Sequence, residues 1–194
     1  LKGTKYRFSV SEAFVSATCP WGNSFRIHTP SKRFGQMALG IAYIEFGVAP
    51  GNAAGISRFY RQMLGAPAVV KKTKGVAAHV RVGHHQELIF RETTGRITPF
   101  DGHHIQIYVA DFSGPYNGLR EHSLISEESN QHQYRFEDII DLETGKLLFS
   151  LDHEIRSLTH PLFARPLVNR NPNQTNTGFG AGHENQSWAL PYTL

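Results

Sequence analysis

"GIAYIEFGVAPGNAAGISRFYRQMLG", residues 40–65, decides how the rest of the chain is read. Residues 40–48 are rich in β-prone side chains (Ile41, Ile44, Phe46, Val48) and short of helix formers, which predicts a strand. Ala49-Pro50-Gly51-Asn52 predicts a turn, because Pro presets one backbone angle and Gly reaches conformations closed to other residues. From residue 53 the period changes. Ile56, Phe59, Tyr60, Met63 and Leu64 recur at steps of three and four, the apolar stripe of an amphipathic helix, and Gly65 is placed to end it. Three more strands are predicted at 66–72, 76–83 and 86–93. The order is β-α-β-β-β.

About 60 residues further on the order recurs. Residues 103–111 ("HHIQIYVAD") read as a strand and 113–125 as a helix interrupted by Gly. Strands at 134–141 and 146–158 follow, joined by the turn "LETG". A third fragment stands in front: "YRFSVSEAFVSATCPWGNSFRIHTP" (6–30) parallels "YRFEDIIDLETGKLLFSLDHEIRSLTHP" (134–161). Residues 1–35 therefore read as a β-hairpin resembling the end of a further unit, whose edges need a partner. The divisions expected are 1–35, a first module at 40–95, a second at 103–160, and an irregular arm at 161–194. The arm is rich in Asn, Gly and Pro, with Phe163, Leu167, Val168, Phe179, Trp188, Leu190 and Tyr192 spaced as anchors. It is expected to dock on the body or on a partner subunit, which makes the protein an oligomer.

Composition narrows the function classes. The chain has 194 residues, 40% of them hydrophobic, and a formal net charge of +4. The pI is about 9.3. No apolar run approaches the roughly 18–20 residues a membrane span needs. No dense Lys/Arg block marks a nucleic-acid surface, so no nucleic-acid partner is expected. The single cysteine, Cys19, excludes an internal disulfide and fits a reducing, cytoplasmic setting. The sequence begins at Leu1 rather than Met, so residues can precede it.

The paired units resemble the vicinal oxygen chelate superfamily, which includes glyoxalase I, extradiol dioxygenases and fosfomycin-resistance proteins. "FYRQMLGA" (59–66) is similar to its helix-ending signature and "HIQIYVAD" (104–111) to its strand opener. "CPWGNSFRIH" (19–28) and "DLETGKLLF" (141–149) are similar to its turn and final strand. The resemblance covers residues 4–158. It implies an α+β fold of paired βαβββ modules forming a curved-sheet cup that holds a divalent metal (Fe, Mn, Ni or Zn). Carried over by position, the metal ligands fall on His104 and Glu87. The other two positions fall on Tyr43, a poor donor, and on Phe149, which cannot bind. Half of the usual set is missing.

Counting by twos along each strand places Glu45 with Tyr43, Gln106 and Tyr108 with His104, His85 with Glu87, and His153 with Phe149. Glu45, Gln106 and His153 are thereby the candidate catalytic residues, completing a ligand set or acting as base. Residues 152–161 concentrate Asp152, His153, Glu154, Arg156 and His160, read either as an acid/base cluster or as a strand end laced with ion pairs. Two functional classes follow. The reading favoured is a small-molecule-binding or structural subunit of a homo-oligomer or larger assembly, with an incomplete ligand set. The alternative is a divalent-metal-dependent lyase or dioxygenase acting on a small oxygenated substrate.

Overall fold

A computed structural model describes residues 3–35 and 40–163. The chain divides into two compact units, one ending at Gly40 and one beginning at Ile41. The first holds three antiparallel strands, β1 (Arg7–Val10), β2 (Val15–Thr18) and β3 (Ser24–Ile27), in that order, then one 3-10 turn at Lys32–Phe34. The expected hairpin is β2–β3, closed by Cys19 N–H to Asn23 O at 2.9 Å, with Gly22 at φ 94° in the turn. A further strand, β1, joins it. Phe8 and Val10 alternate with Arg7 and Ser9, and the Ser11–Phe14 turn reverses the chain so that β1 pairs with β2.

The second unit contains β4 (Tyr43–Val48), α1 (Asn52–Met63), β5 (Ala68–Lys71), β6 (Ala77–Gly83) and β7 (Gln86–Glu92). After a linker come β8 (His104–Val109), α2 (Ser113–Glu121), β9 (Ile125–Asn130), β10 (Gln133–Ile140) and β11 (Leu147–Ser157). The sheets run β4-β7-β6-β5 and β8-β11-β10-β9. In each, the first strand lies parallel to the last and the remaining pairs are antiparallel. The fold is α+β, two βαβββ modules of one topology.

Two local expectations change. The second helix stops at Glu121, because Ser123 takes φ 57° and turns the chain away. The residues after it form β9, "ISEESN", a strand that the sequence does not predict. β9 is an edge strand whose side chains are mainly Ser, Glu and Asn, so it carries no apolar alternation to betray it.

Helix α1 lies between the two sheets. Ala53, Ile56, Phe59 and Tyr60 are fully buried. Tyr60 meets Phe90 of its own module, while Phe59 meets Phe136 of the other, with ring centroids 5.5 and 5.9 Å apart. Gly55 permits the approach to the second module: a Cβ there would stand 2.6 Å from the Leu148 side chain. Asn52 Nδ2 donates to Leu148 O at 2.7 Å, and Arg58 pairs with Asp141 at 2.7 Å. Phe149 packs on Phe46 and Phe90, so one apolar core spans both modules. Each buried Phe or Ile contributes roughly 1.5–3 kcal/mol to that core.

This packing orients the functional surfaces. Both sheets turn their apolar faces toward α1, so their polar faces look away from it. Of the arm expected at 161–194, residues 164–194 lie outside the described residues. Among the described residues, no helix is long and apolar enough to cross a membrane.

Candidate functional site

The polar face of the first module is built from β4, β7 and β6. Parallel pairing sets Tyr43 beside Glu87 and Glu45 beside Ile89, and β6 brings His79 beside Ile89. Glu45 and Glu87 therefore share a face, as the count by twos requires. Each has a partner within the chain. Arg91 grips Glu45 bidentately, Nε to Oε1 at 2.9 Å and Nη2 to Oε2 at 3.0 Å. His79 Nδ1 lies 3.0 Å from Glu87 Oε2. His85, counted onto this face, instead occupies the tight turn between β6 and β7 with φ 63°.

The polar face of the second module is denser. β8 and β11 pair in parallel, setting Asp152 beside His104, Glu154 beside Gln106, and Arg156 beside Tyr108. β10 adds Gln133 and Arg135 opposite Arg156 and Glu154. Arg135 joins Asp152 through one Nη and Glu154 through the other. Glu154 also holds Arg156 at 2.5 Å. Arg156 in turn donates to Gln133 Oε1 at 2.9 Å and to Tyr108 Oη at 3.2 Å. The result is a ladder, Asp152–Arg135–Glu154–Arg156, with two positive and two negative charges. Glu154 is almost wholly buried. A buried charge is tolerable only when so compensated, and the arrangement decides between the two readings of residues 152–161 in favour of ion pairing. His104 and Gln106 stand exposed on this face.

His153 is on the other side. It shares a face with Phe149, as the spacing by twos demands, but that face is the apolar one. The ring is completely buried and stacks on Phe136, centroids 4.1 Å apart and planes 9° from parallel. Nδ1–H donates to Leu151 O at 2.5 Å, and Nε2 accepts the Tyr60 hydroxyl at 2.5 Å. Burial, opposed only by backbone hydrogen bonds, lowers the His153 pKa to about 3. The same burial raises that of Tyr60 well above its ordinary value. The pair is neutral at physiological pH and closed to solvent, which suits a polar pin in the core and not a base meeting a substrate. His160, beside Tyr108, is lowered to about 4 by burial, with Arg156 and His132 adding to the effect.

The five nominated residues are thus divided. Glu45 and Glu87 lie on one outward face, His104 and Gln106 on another, and His153 in the core. A metal does not fit this arrangement. Glu45 and Glu87 are engaged by Arg91 and His79, and Tyr43 is a poor donor. Beside His104, Asp152 keeps a buried oxygen without a hydrogen bond, but Asp152 and Glu154 are both tied to arginines. Among the described residues, no three His, Cys, Asp or Glu side chains are grouped to hold an ion. A cleft of about 580 Å³ opens elsewhere, where the end of α1 (Met63, Leu64) meets β8 and the start of α2 (Tyr108, Asp111, Pro115). It contains none of the five. Sequence reasoning did not find Arg135 as the centre of the ladder or Tyr60 as the partner of His153. Each joins its partner only through long-range pairing.

No family model matches the chain, and none of the curated proteins matches it. Among solved structures it is similar to the oxidase ChaP-H2 (19% identity, 67% of this chain and 96% of that one, TM-score 0.46). It is similar to lactoylglutathione lyase from Agrobacterium tumefaciens (13%, 63% and 96%, TM-score 0.41). A mutant of the fosfomycin resistance protein FosX from Listeria monocytogenes, complexed with Mn(II), is a third (12%, 62% and 93%, TM-score 0.43).

Proposed function

We propose that this protein is a metal-independent small-molecule-binding or structural subunit of a homo-oligomer, built on the glyoxalase/dioxygenase-like fold. One observation carries the reading: the carboxylates that could serve a metal are already engaged by the chain's own basic side chains. Arg91 takes Glu45, His79 takes Glu87, and Arg135 with Arg156 takes Asp152 and Glu154. Extracting such a carboxylate for a cation would strand a guanidinium, at a cost of several kcal/mol where the pair is buried. The apolar Phe149 stands where a further ligand would be needed.

The oligomer follows from the orientation of the faces. A hollow lined by both Glu45 and Glu87 and by His104 and Gln106 requires the first module of one copy to stand beside the second module of another. His104 and Gln106, exposed over the neutral ladder, are then the groups a small oxygen-bearing ligand meets. Metal analysis of protein purified without an affinity tag tests this. The expected result is far less than one equivalent of Fe, Mn, Ni or Zn. Stoichiometric metal, lost in folded His104→Ala or Glu87→Ala, would establish the metal-dependent enzyme instead.

A further inference from the structure

We infer that the three-stranded sheet β1–β3 is a self-association face, and that its occupant is the same face of a second copy of this chain. The inference rests on the homo-oligomer proposed above and names a surface that builds it.

The register sorts every strand side chain of this sheet. Phe8 pairs with Ala17 and Ala17 with Phe25, while Val10 pairs with Val15 and Val15 with Ile27. Directly paired residues project to one side of a sheet, so these six form one wholly apolar face. The opposite face carries Arg7, Ser9, Ser16, Thr18, Ser24 and Arg26. Both faces are open, since β1 and β3 are exposed at every position. Phe8, Val10, Phe25 and Ile27 are 63, 73, 51 and 60% exposed.

A small sheet that buries neither face has little to hold it together, and strictly alternating apolar residues mark a side meant to be covered. What covers it is constrained by its chemistry. The face bears no charge and no hydrogen-bonding side chain, so its complement is flat and apolar. Arg7 and Arg26 project from the far side. Laid on a bilayer or on stacked bases, the apolar face would hold both cations away from the phosphates. An extended peptide would add to a strand edge and leave the face open. The chain's own face meets every requirement, and two copies pack as aligned sheets around a two-fold axis. The open apolar area is on the order of 500 Å² per copy, comparable with the largest patch an ordinary monomer shows. Pairing removes about 1,000 Å² in total, which reaches the threshold for a specific contact.

Light scattering on the full chain across micromolar concentrations tests this, comparing wild type with Phe8→Thr/Ile27→Thr and with the opposite-face control Ser9→Glu/Ser24→Glu. The expected result is a twofold lower mass for the first variant and wild-type mass for the control. Far-UV circular dichroism verifies folding, and Val10→Thr/Phe25→Thr replaces the first variant if that one unfolds. An oligomeric wild type whose mass survives both apolar-face variants would overturn this interface and leave the proposed function standing. A wild type monomeric throughout would overturn both. So would a monomeric wild type that floats with phosphatidylserine-containing vesicles while Phe8→Thr/Ile27→Thr does not, which would make lipid the occupant.

Discussion

The two modules share one topology and treat their polar faces differently. In the first, Glu45 and Arg91 are about one third exposed, side chains 35 and 28% accessible, and form one bidentate pair at the sheet surface. In the second, Arg135 bridges Asp152 and Glu154 with those carboxylates 13 and 5% accessible, and Arg156 extends the ladder. One fold therefore carries a solvated pair and a desolvated network at corresponding places. Water screens the first, while the second depends on complete compensation. The difference teaches that charge count does not rank these faces; depth does.

The comparison breaks most visibly at Arg135. Arg135→Met leaves two buried carboxylates without their shared cation, and urea denaturation should show a loss of about 3–5 kcal/mol. A loss under 1 kcal/mol would mean that the ladder is as solvated as the first module's pair. The next effect belongs to His153, the second module's hidden polar group. Its folded pKa of about 3 lies below the ordinary 6.5, so the unfolded chain binds the proton more readily. The resulting stability is complete above about pH 6.5 and is lost as pH falls toward 3. Between pH 7 and pH 4 the loss from this group is about 3 kcal/mol. Wild type minus His153→Leu, measured by denaturation at both pH values, isolates it, and identical pH slopes would refute the burial.

A smaller effect is expected where the modules meet. Gly55→Ala places a methyl group against Leu148 at the start of β11, costing about 1–3 kcal/mol. Arg91→Met should cost least, about 0–1 kcal/mol, because Glu45 returns to water. If Arg91→Met proved as damaging as Arg135→Met, the contrast between the faces would vanish.

Much of this was legible in the sequence where the signal was local. Ile56, Phe59, Tyr60 and Met63 declare α1 by period, and Ile105 and Ile107 alternate with His104 and Gln106 to declare β8 and its faces. β9 was not legible, because a polar edge strand has no apolar alternation to display. The facing of β11 was not legible either. Asp152, His153 and Glu154 are adjacent charged or polar residues, and only the core's choice of Leu151, His153 and Ile155 settles which side each takes. The Tyr60–His153 pair joins residues 93 apart, a contact set by the crossing of α1 between two sheets. Composition carries no trace of it.

Thermal unfolding of the untagged protein with and without millimolar Mn²⁺, Ni²⁺ or Zn²⁺ goes to the centre of the account. Ligand that binds only the native state raises its stability by RT ln(1 + [L]/Kd), so even a modest site would register. Because the carboxylates of the polar faces are already engaged by Arg91, His79, Arg135 and Arg156, the melting temperature should stay within about 1 °C of the chelator-treated value, a shift smaller than 1 kcal/mol would give. A saturable rise of several degrees that disappears in His104→Ala or Glu87→Ala would show that these carboxylates and imidazoles do hold an ion.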